Sequence, residues 1–195
     1  MLISLSNDQK AFFEKEGYVA LEGVLTVQEI ERIRTVFQSD IPATRWDQEL
    51  FGKQLFESGY DLFLKHKSKF KDISLQRIAL IASELLDFHP IRYVFDQLCV
   101  RHSELPVQDT CSVTGCALVC CISLDNIELN KGSCLFVRAD QAPKLDLGLH
   151  WILGLGGRNL QYLHNKKDPH THALKNYGYG FGDALKQSTH PILFP

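Results

Sequence analysis

The chain has no cationic excess, no long apolar run and no paired-cysteine motif. Lys and Arg number 21 against 23 Asp and Glu, for a formal charge of −2. A general nucleic-acid coat needs a basic face, so that class is disfavoured. The one lysine-dense stretch, Lys65, Lys67, Lys69 and Lys71 around His66 and Phe70, reads as a solvated helix end or loop. No apolar run approaches the ~20 residues of a membrane-spanning helix. Met1-Leu2-Ile3-Ser4 lacks the basic region and long apolar run of a signal peptide. The expectation is a soluble, cytoplasmic protein.

Other absences narrow the chemistry. Cys99, Cys111, Cys116, Cys120, Cys121 and Cys134 include no Cys-x-x-Cys pair, which argues against an iron–sulfur or zinc-ribbon site. They read as reduced core thiols, with Cys116 and Cys120 on one strand face and Cys121 on the other. Cys111 is a candidate to line a pocket. There is no Gly-x-Ser-x-Gly, so no nucleophile elbow supports a Ser/His/Asp triad. Gly154-Leu155-Gly156-Gly157-Arg158 lacks the Walker lysine and reads as a turn.

What is present fits a globular domain. Hydrophobic residues make up 45% and charged residues 23% of 195 residues, enough to bury a core. No Pro/Ser-rich linker and no repeat divides the chain. The expectation is therefore a single domain over residues 1–195, with 1–100 mainly helical support and 101–195 mainly β-barrel.

Ser6-Asn7-Asp8-Gln9 is a capping box opening a helix that stops at Gly17. Tyr18 to Leu21 is a short strand. Thr26-Val27-Gln28-Glu29 is a second box, opening a helix with Ile30, Ile33 and Phe37 on one face. Pro42 closes that region, and residues 45–72 suggest interrupted helical pieces. Ser74 starts the strongest helix, carrying Ile78, Ile81, Ala82, Leu85 and Leu86 and ended by His89-Pro90. Ile91, Val94, Phe95 and Leu98 at helical spacing predict a further helix over 91–99. Val113 to Leu124 is a β-rich run ending in the Asp125-Asn126 turn, and Cys134 to Val137 is another strand. Tyr177 to Phe181, alternating aromatic and glycine, reads as a tightly packed strand.

The densest donor cluster is His164, Asp168, His170 and His172. His170 and His172 would share a face in a strand and form a weak Zn or Ni site. Asn165-Lys166-Lys167-Asp168-Pro169 reads as an exposed loop, and surface histidines near a turn are the plainer reading.

Several stretches resemble the phytanoyl-CoA dioxygenase family of non-haem Fe(II), 2-oxoglutarate-dependent oxygenases. Leu5 to Leu21 and Gly23 to Ile30 resemble its opening helix, strand and second helix. His89-Pro90 resembles the end of its longer helix. Val107-Gln108-Asp109 stands where the family has His-Gln-Asp. Ile122-Ser123-Leu124-Asp125 and Gly132 to Val137 resemble two of its strands. Gly182-Asp183 followed by Thr189-His190 resembles the strands carrying the distal histidine. The resemblance implies an α+β fold, a double-stranded β-helix (a jelly-roll or cupin-type barrel) with N-terminal helices packed on one side. It also implies Fe(II) held by two histidines and a carboxylate, with 2-oxoglutarate as co-substrate.

The departures are as informative. Val107 carries no lone pair where the first histidine belongs. The family's Pro-Gly-Ser-His appears as Arg138-Ala139-Asp140-Gln141, and no arginine follows His190. Residue by residue, Asp109 and His190 carry over as metal ligands. His102 is the candidate third ligand and His150 another donor. Arg138 and Lys144 are the candidate anchors for the co-substrate carboxylate. No catalytic residue is assigned. The expectation is a diverged oxygenase-like protein that has lost the family's chemistry and binds an unidentified small molecule or protein. An active dioxygenase with a rearranged metal site and a divalent-metal-responsive regulator are the alternatives.

Overall fold

Helix starts and stops follow local chemistry. The structure, a computed structural model, describes residues 4–38, 59–70, 73, 75–99, 107–125, 132–142, 145 and 148–195. The Gln9 N–H donates to Ser6 Oγ at 3.2 Å, and the Ser6 N–H donates to Gln9 Oε1 at 2.9 Å. This is the expected capping box, and it opens α1 (Asn7–Glu16). Gly17, at φ 77°, ends the helix and donates to the Phe13 carbonyl at 2.8 Å. The second box opens α2 (Val27–Gln38), with Thr26 N–H to Glu29 Oε2 at 2.7 Å and Glu29 N–H to Thr26 Oγ1 at 3.1 Å. Ile30, Ile33 and Phe37 are all buried. A short α3 (Leu62–Lys65) leads into a turn where Lys65, Lys67 and Lys69 are exposed, as a solvated helix end should be. The strongest helix is α4 (Leu75–Leu86), ending ahead of His89-Pro90. Ser74, Pro42 and most of 45–72 lie outside the described residues.

The described strands form one antiparallel sheet. They are β1 (Tyr18–Leu21), β2 (Ile91–Cys99), β3 (Val113–Ser123), β4 (Cys134–Arg138), β5 (His150–Tyr162) and β6 (Ile192–Phe194). Their order is β1-β4-β3-β5-β2-β6. One face is covered by helices: Phe13, Ile33, Phe37, Ile78 and Ile81 share a core with Tyr93, Cys120, Phe136 and Trp151. The opposite face packs Val119, Cys121 and Ile152 against Leu174, Tyr179 and Leu185 of the C-terminal segment. The fold is thus a mixed α+β architecture with its helices on one side of the sheet.

Four expectations are overturned. Residues 91–99 are not a helix but β2, between β5 and β6. A bulge between Tyr93 and Phe95 explains the misleading spacing. It turns Val94 and Phe95 to one face together and leaves Tyr93 and Leu98 on the other, which imitates helical periodicity. Gly154 to Arg158 is not a turn but the middle of β5. A Cβ on Gly154 would stand 2.3 Å from Phe95 Cε1, so the Phe95 ring occupies the space a side chain would need. Tyr177 to Phe181 is not a strand. A 3₁₀ turn over Ala173–Tyr177 leads instead into turns at Gly178 and Gly182, both at positive φ. Finally, Cys116 and Cys120 do not share a face. A register shift between Cys116 and Leu118 puts Cys116 with Cys121 and turns Cys120 to the helix-covered core.

Candidate functional site

The C-terminal turn delivers His190 into the protein. Gly182 N–H bonds to the Tyr162 carbonyl at 2.6 Å, anchoring the Gly182-Asp183 corner on β5. The chain then returns toward β2, where the Tyr93 N–H reaches the Pro191 carbonyl at 3.0 Å. His190 is left fully buried between the rings of Tyr93 and Tyr179, at 5.9 and 6.0 Å between centroids. Its Nδ1 lies 2.9 Å from Thr189 Oγ1, while Nε2 is buried without a hydrogen-bond partner among the described residues. Burial, with the positive charge of Arg92 nearby, pushes the imidazole down to about 4. The ring is neutral at physiological pH and keeps one nitrogen lone pair or N–H unspent. Arg92 shares this shortage. Its Nη1 donates to the Leu185 carbonyl at 2.7 Å, but its Nε is also buried without a partner among the described residues.

Asp109 has different surroundings. It lies in the short helix α5 (Val107–Thr110) just before β3, and its side chain is exposed. Its carbonyl accepts the Asn165 amide at 2.9 Å. His150 starts β5, buried, opposite Cys99 and Ser123. Arg138 ends β4 with its guanidinium on Asp140, at 3.2 Å through Nε and 3.0 Å through Nη2. His102 and Lys144 lie outside the described residues. Among the described residues no group of three His, Cys, Asp or Glu side chains comes together as a metal site. Among the described residues the donor set makes no complete triad, and His190 Nε2 is the buried nitrogen left over.

The 164–172 histidines belong to a turn, as the plainer reading had it. His164 and His172 stack on each other at 5.7 Å, both beside Phe181. His170 points elsewhere and stacks on Tyr60 at 4.5 Å. Asp168 is buried and structural. It accepts the Ser112 N–H at 2.9 Å and the His170 N–H at 2.8 Å, pinning the turn to the start of β3.

Two features escaped sequence reasoning. The first is an acidic network under the helices. Asp96, fully buried on β2, accepts Tyr93 Oη–H at 2.6 Å, Trp151 Nε1–H at 2.8 Å and the Phe63 N–H at 3.1 Å. Burial raises its carboxyl while these donors pull it back down. Asp61 sits beside it, 3.1 Å from Tyr93 Oη, and is pushed up to about 7 by burial and by Asp96. An aspartate inside the apolar run 91–99 was the available signal, since a buried carboxylate needs built-in donors. The second feature is a cleft of about 850 Å³ between α2, the 63–77 segment and β6, lined by Phe63, Lys67, Phe70, Arg77, Ile192 and Leu193.

No family model and no curated protein sequence matches the chain. The fold does match solved structures, several of them of proteins named as non-heme, alpha-ketoglutarate-dependent enzymes. The non-heme alpha-ketoglutarate-dependent epimerase SnoN from nogalamycin biosynthesis aligns with 95% of this chain and 97% of its own, at 16% identity and a TM-score of 0.67. CytC3, solved with Fe(II) and alpha-ketoglutarate, aligns with 96% of this chain and 88% of its own, at 12% identity and a TM-score of 0.56. CT296 from Chlamydia trachomatis aligns with 80% of this chain and 97% of its own, at 17% identity and a TM-score of 0.53. At these identities the likeness concerns the fold. No helix among the described residues is long and apolar enough to cross a membrane.

Proposed function

We propose that the chain is a diverged member of the Fe(II)/2-oxoglutarate oxygenase-like fold, of the phytanoyl-CoA dioxygenase type. On this reading residues 1–195 form one domain, a double-stranded β-helix. It acts in the cytoplasm as a ligand- or protein-binding protein without the family's oxygenase turnover. What supports this reading is the segment that resembles the family's ligand motif: Val107 stands in the sequence where the family has a histidine, and an aliphatic residue cannot bind a metal. Arg138, a candidate anchor for 2-oxoglutarate, already holds Asp140. An aliphatic residue at 107 and an Arg138 engaged with Asp140 would weaken both the grip on iron and the orientation of the co-substrate.

A second reading is favoured by the buried, unpartnered Nε2 of His190 with Arg92 beside it. A neutral imidazole next to a guanidinium is the donor pair that an iron ion and an anionic co-substrate would use. This reading keeps oxygenase activity through a rearranged site.

An anaerobic calorimetric titration with Fe(II), with and without 2-oxoglutarate, separates the two. Weak iron binding indifferent to 2-oxoglutarate is the result expected of the first reading. Tight binding strengthened by 2-oxoglutarate, with succinate formed on admitting oxygen, would replace it by the second.

A further inference from the structure

Two carboxyl groups stand within reach of a single phenol. Tyr93 Oη is 2.6 Å from Asp96 Oδ1 and 3.1 Å from Asp61 Oδ1. A phenol has one hydrogen to give. Asp96 also receives N–H donors from Phe63 and Trp151, so it is furnished as the ionised member. The Asp61 carboxyl hydrogen-bonds only to Tyr93 among the described residues. With both acids ionised, one carboxylate would face the phenol oxygen rather than its hydrogen. A proton on Asp61 completes the chain: Asp61 donates to Tyr93 Oη, and Tyr93 donates to Asp96.

The proton also has a mechanical consequence. Residues 59–65 form a strap along the edge of β2 that β6 leaves uncovered. Leu98 N–H bonds to the Gly59 carbonyl at 2.9 Å, Tyr60 bridges Gln97, and Asp61 N–H bonds to the Asp96 carbonyl at 2.9 Å. Asp61 sits in the left-handed region at φ 55°, which aspartate tolerates better than most residues. Beneath the strap, Phe63 packs on Tyr93 at 5.1 Å and on Phe70 at 5.7 Å. Phe70 packs in turn on Trp151 at 5.5 Å. Phe63 and Phe70 also line the 850 Å³ cleft.

We propose that Asp61, Tyr93 and Asp96 form a proton-closed latch. One proton on Asp61 fastens the 59–65 strap across β2, and its loss to solvent frees the strap and uncovers the aromatic cluster around Trp151. Two ionised carboxylates in this pocket would repel each other at low dielectric, and the mobile partner is the one on the strap. The charged and titratable groups facing Asp61 are Asp96 and Tyr93 from β2, Tyr60 and Lys65 from its own segment, Asp168 and Tyr177 from the C-terminal segment, and Cys111 before β3. Lys65 is the cation in this set, and it is exposed. The upward displacement of Asp61 to about 7 places the release near neutral pH. His190 titrates at about 4 and stays out of that window.

The test uses Trp46→Phe, which leaves Trp151 as the sole tryptophan of the two in the chain. Emission and acrylamide quenching are followed from roughly pH 5 to 9. The expected result is a reversible red shift and increased quenching centred near neutrality, with far-UV circular dichroism unchanged. Adding Asp61→Asn should abolish the transition, because an amide donates to Tyr93 at every pH and asparagine accepts the same backbone. A flat Trp151 signal in the Trp46→Phe protein overturns the latch, and so does a transition that survives Asp61→Asn. Should either variant fail to fold, hydrogen exchange of the wild-type 59–65 peptide decides. Protection, corrected for the intrinsic pH dependence, must fall across the same window, and uniform protection overturns the proposal.

Discussion

Truncating Asp96 should expose how much of the fold hangs on one carboxylate. Asp96→Ala strands Trp151 Nε1–H and the Phe63 N–H, both of which reach Asp96 in the native protein. Tyr93 keeps Asp61 as a hydrogen-bond partner. Each stranded buried donor costs ~1–3 kcal/mol, so the loss should be roughly 2–6 kcal/mol. That is a large share of the ~5–15 kcal/mol available to a typical domain. Trp151→Phe removes one of the two donors and leaves a cavity of its own. In the Asp96→Ala background it should cost less than in the wild type, by ~1–2 kcal/mol, because its donor is already stranded. The four proteins of this cycle are compared by urea denaturation read by far-UV circular dichroism, at pH 6 where Asp61 is protonated. A coupling below ~0.5 kcal/mol, the level at which independent sites simply add, would refute the network argument.

Two titrations of opposite sign should partly hide each other in the wild type. His190 falls from 6.5 to about 4 on folding, so the unfolded chain binds the extra proton and stability drops as pH falls through that window, by ~3 kcal/mol. Asp61 rises from 3.8 to about 7, so the folded chain binds the extra proton and stability drops as pH rises through that window, by ~4 kcal/mol. His190→Leu should therefore leave a stability that falls from pH 4 to 7, and Asp61→Asn one that rises; equal slopes in the two variants would contradict both assignments. Gly154→Ala forces a Cβ into the Phe95 ring and should cost ~1–3 kcal/mol in denaturation, with partial recovery in Gly154→Ala/Phe95→Leu. Burial pushes the Cys116 thiol up to about 12 and raises Cys120 and Cys121 as well. In the folded protein these three should resist a thiol reagent at pH 8, and quick labelling would show that the sheet opens. Val107→His should raise Fe(II) affinity by at least ~10-fold, on the scale by which metal sites respond to lost support; unchanged calorimetry would mean that 107–109 is not the ligand segment.

The elements that could be read from the sequence are those whose signal is local. The Ser6–Gln9 and Thr26–Glu29 boxes name their own partners three residues away, and Gly17 marks its own stop. β3 and β4 announce themselves by composition. β2 and β5 do not, because their patterns are set by neighbours distant in the chain. The bulge at Tyr93/Phe95 imitates a helix, and Gly154 of β5 makes sense only beneath Phe95. The site divides in the same way. His190 was reachable through the resemblance, but nothing near it in sequence shows that it is buried with a free Nε2. Asp61 and Asp96 meet through a strap-to-strand contact that no local motif encodes.

The order of the strands also bears on how this chain comes to be folded. Val19 pairs with Phe136, and Arg92 with Gly156. On a ribosome, β1 emerges more than a hundred residues before its partner and must wait, as an unpaired edge, until β4 appears. Sheets assembled from such distant pairings close slowly, typically in milliseconds to seconds for small domains, because loop entropy is lost before contacts repay it. The capping boxes flanking β1 give α1 and α2 their own reasons to form early. A strand flanked by helices that form early would be less open to the edge-to-edge pairing that leads to aggregation.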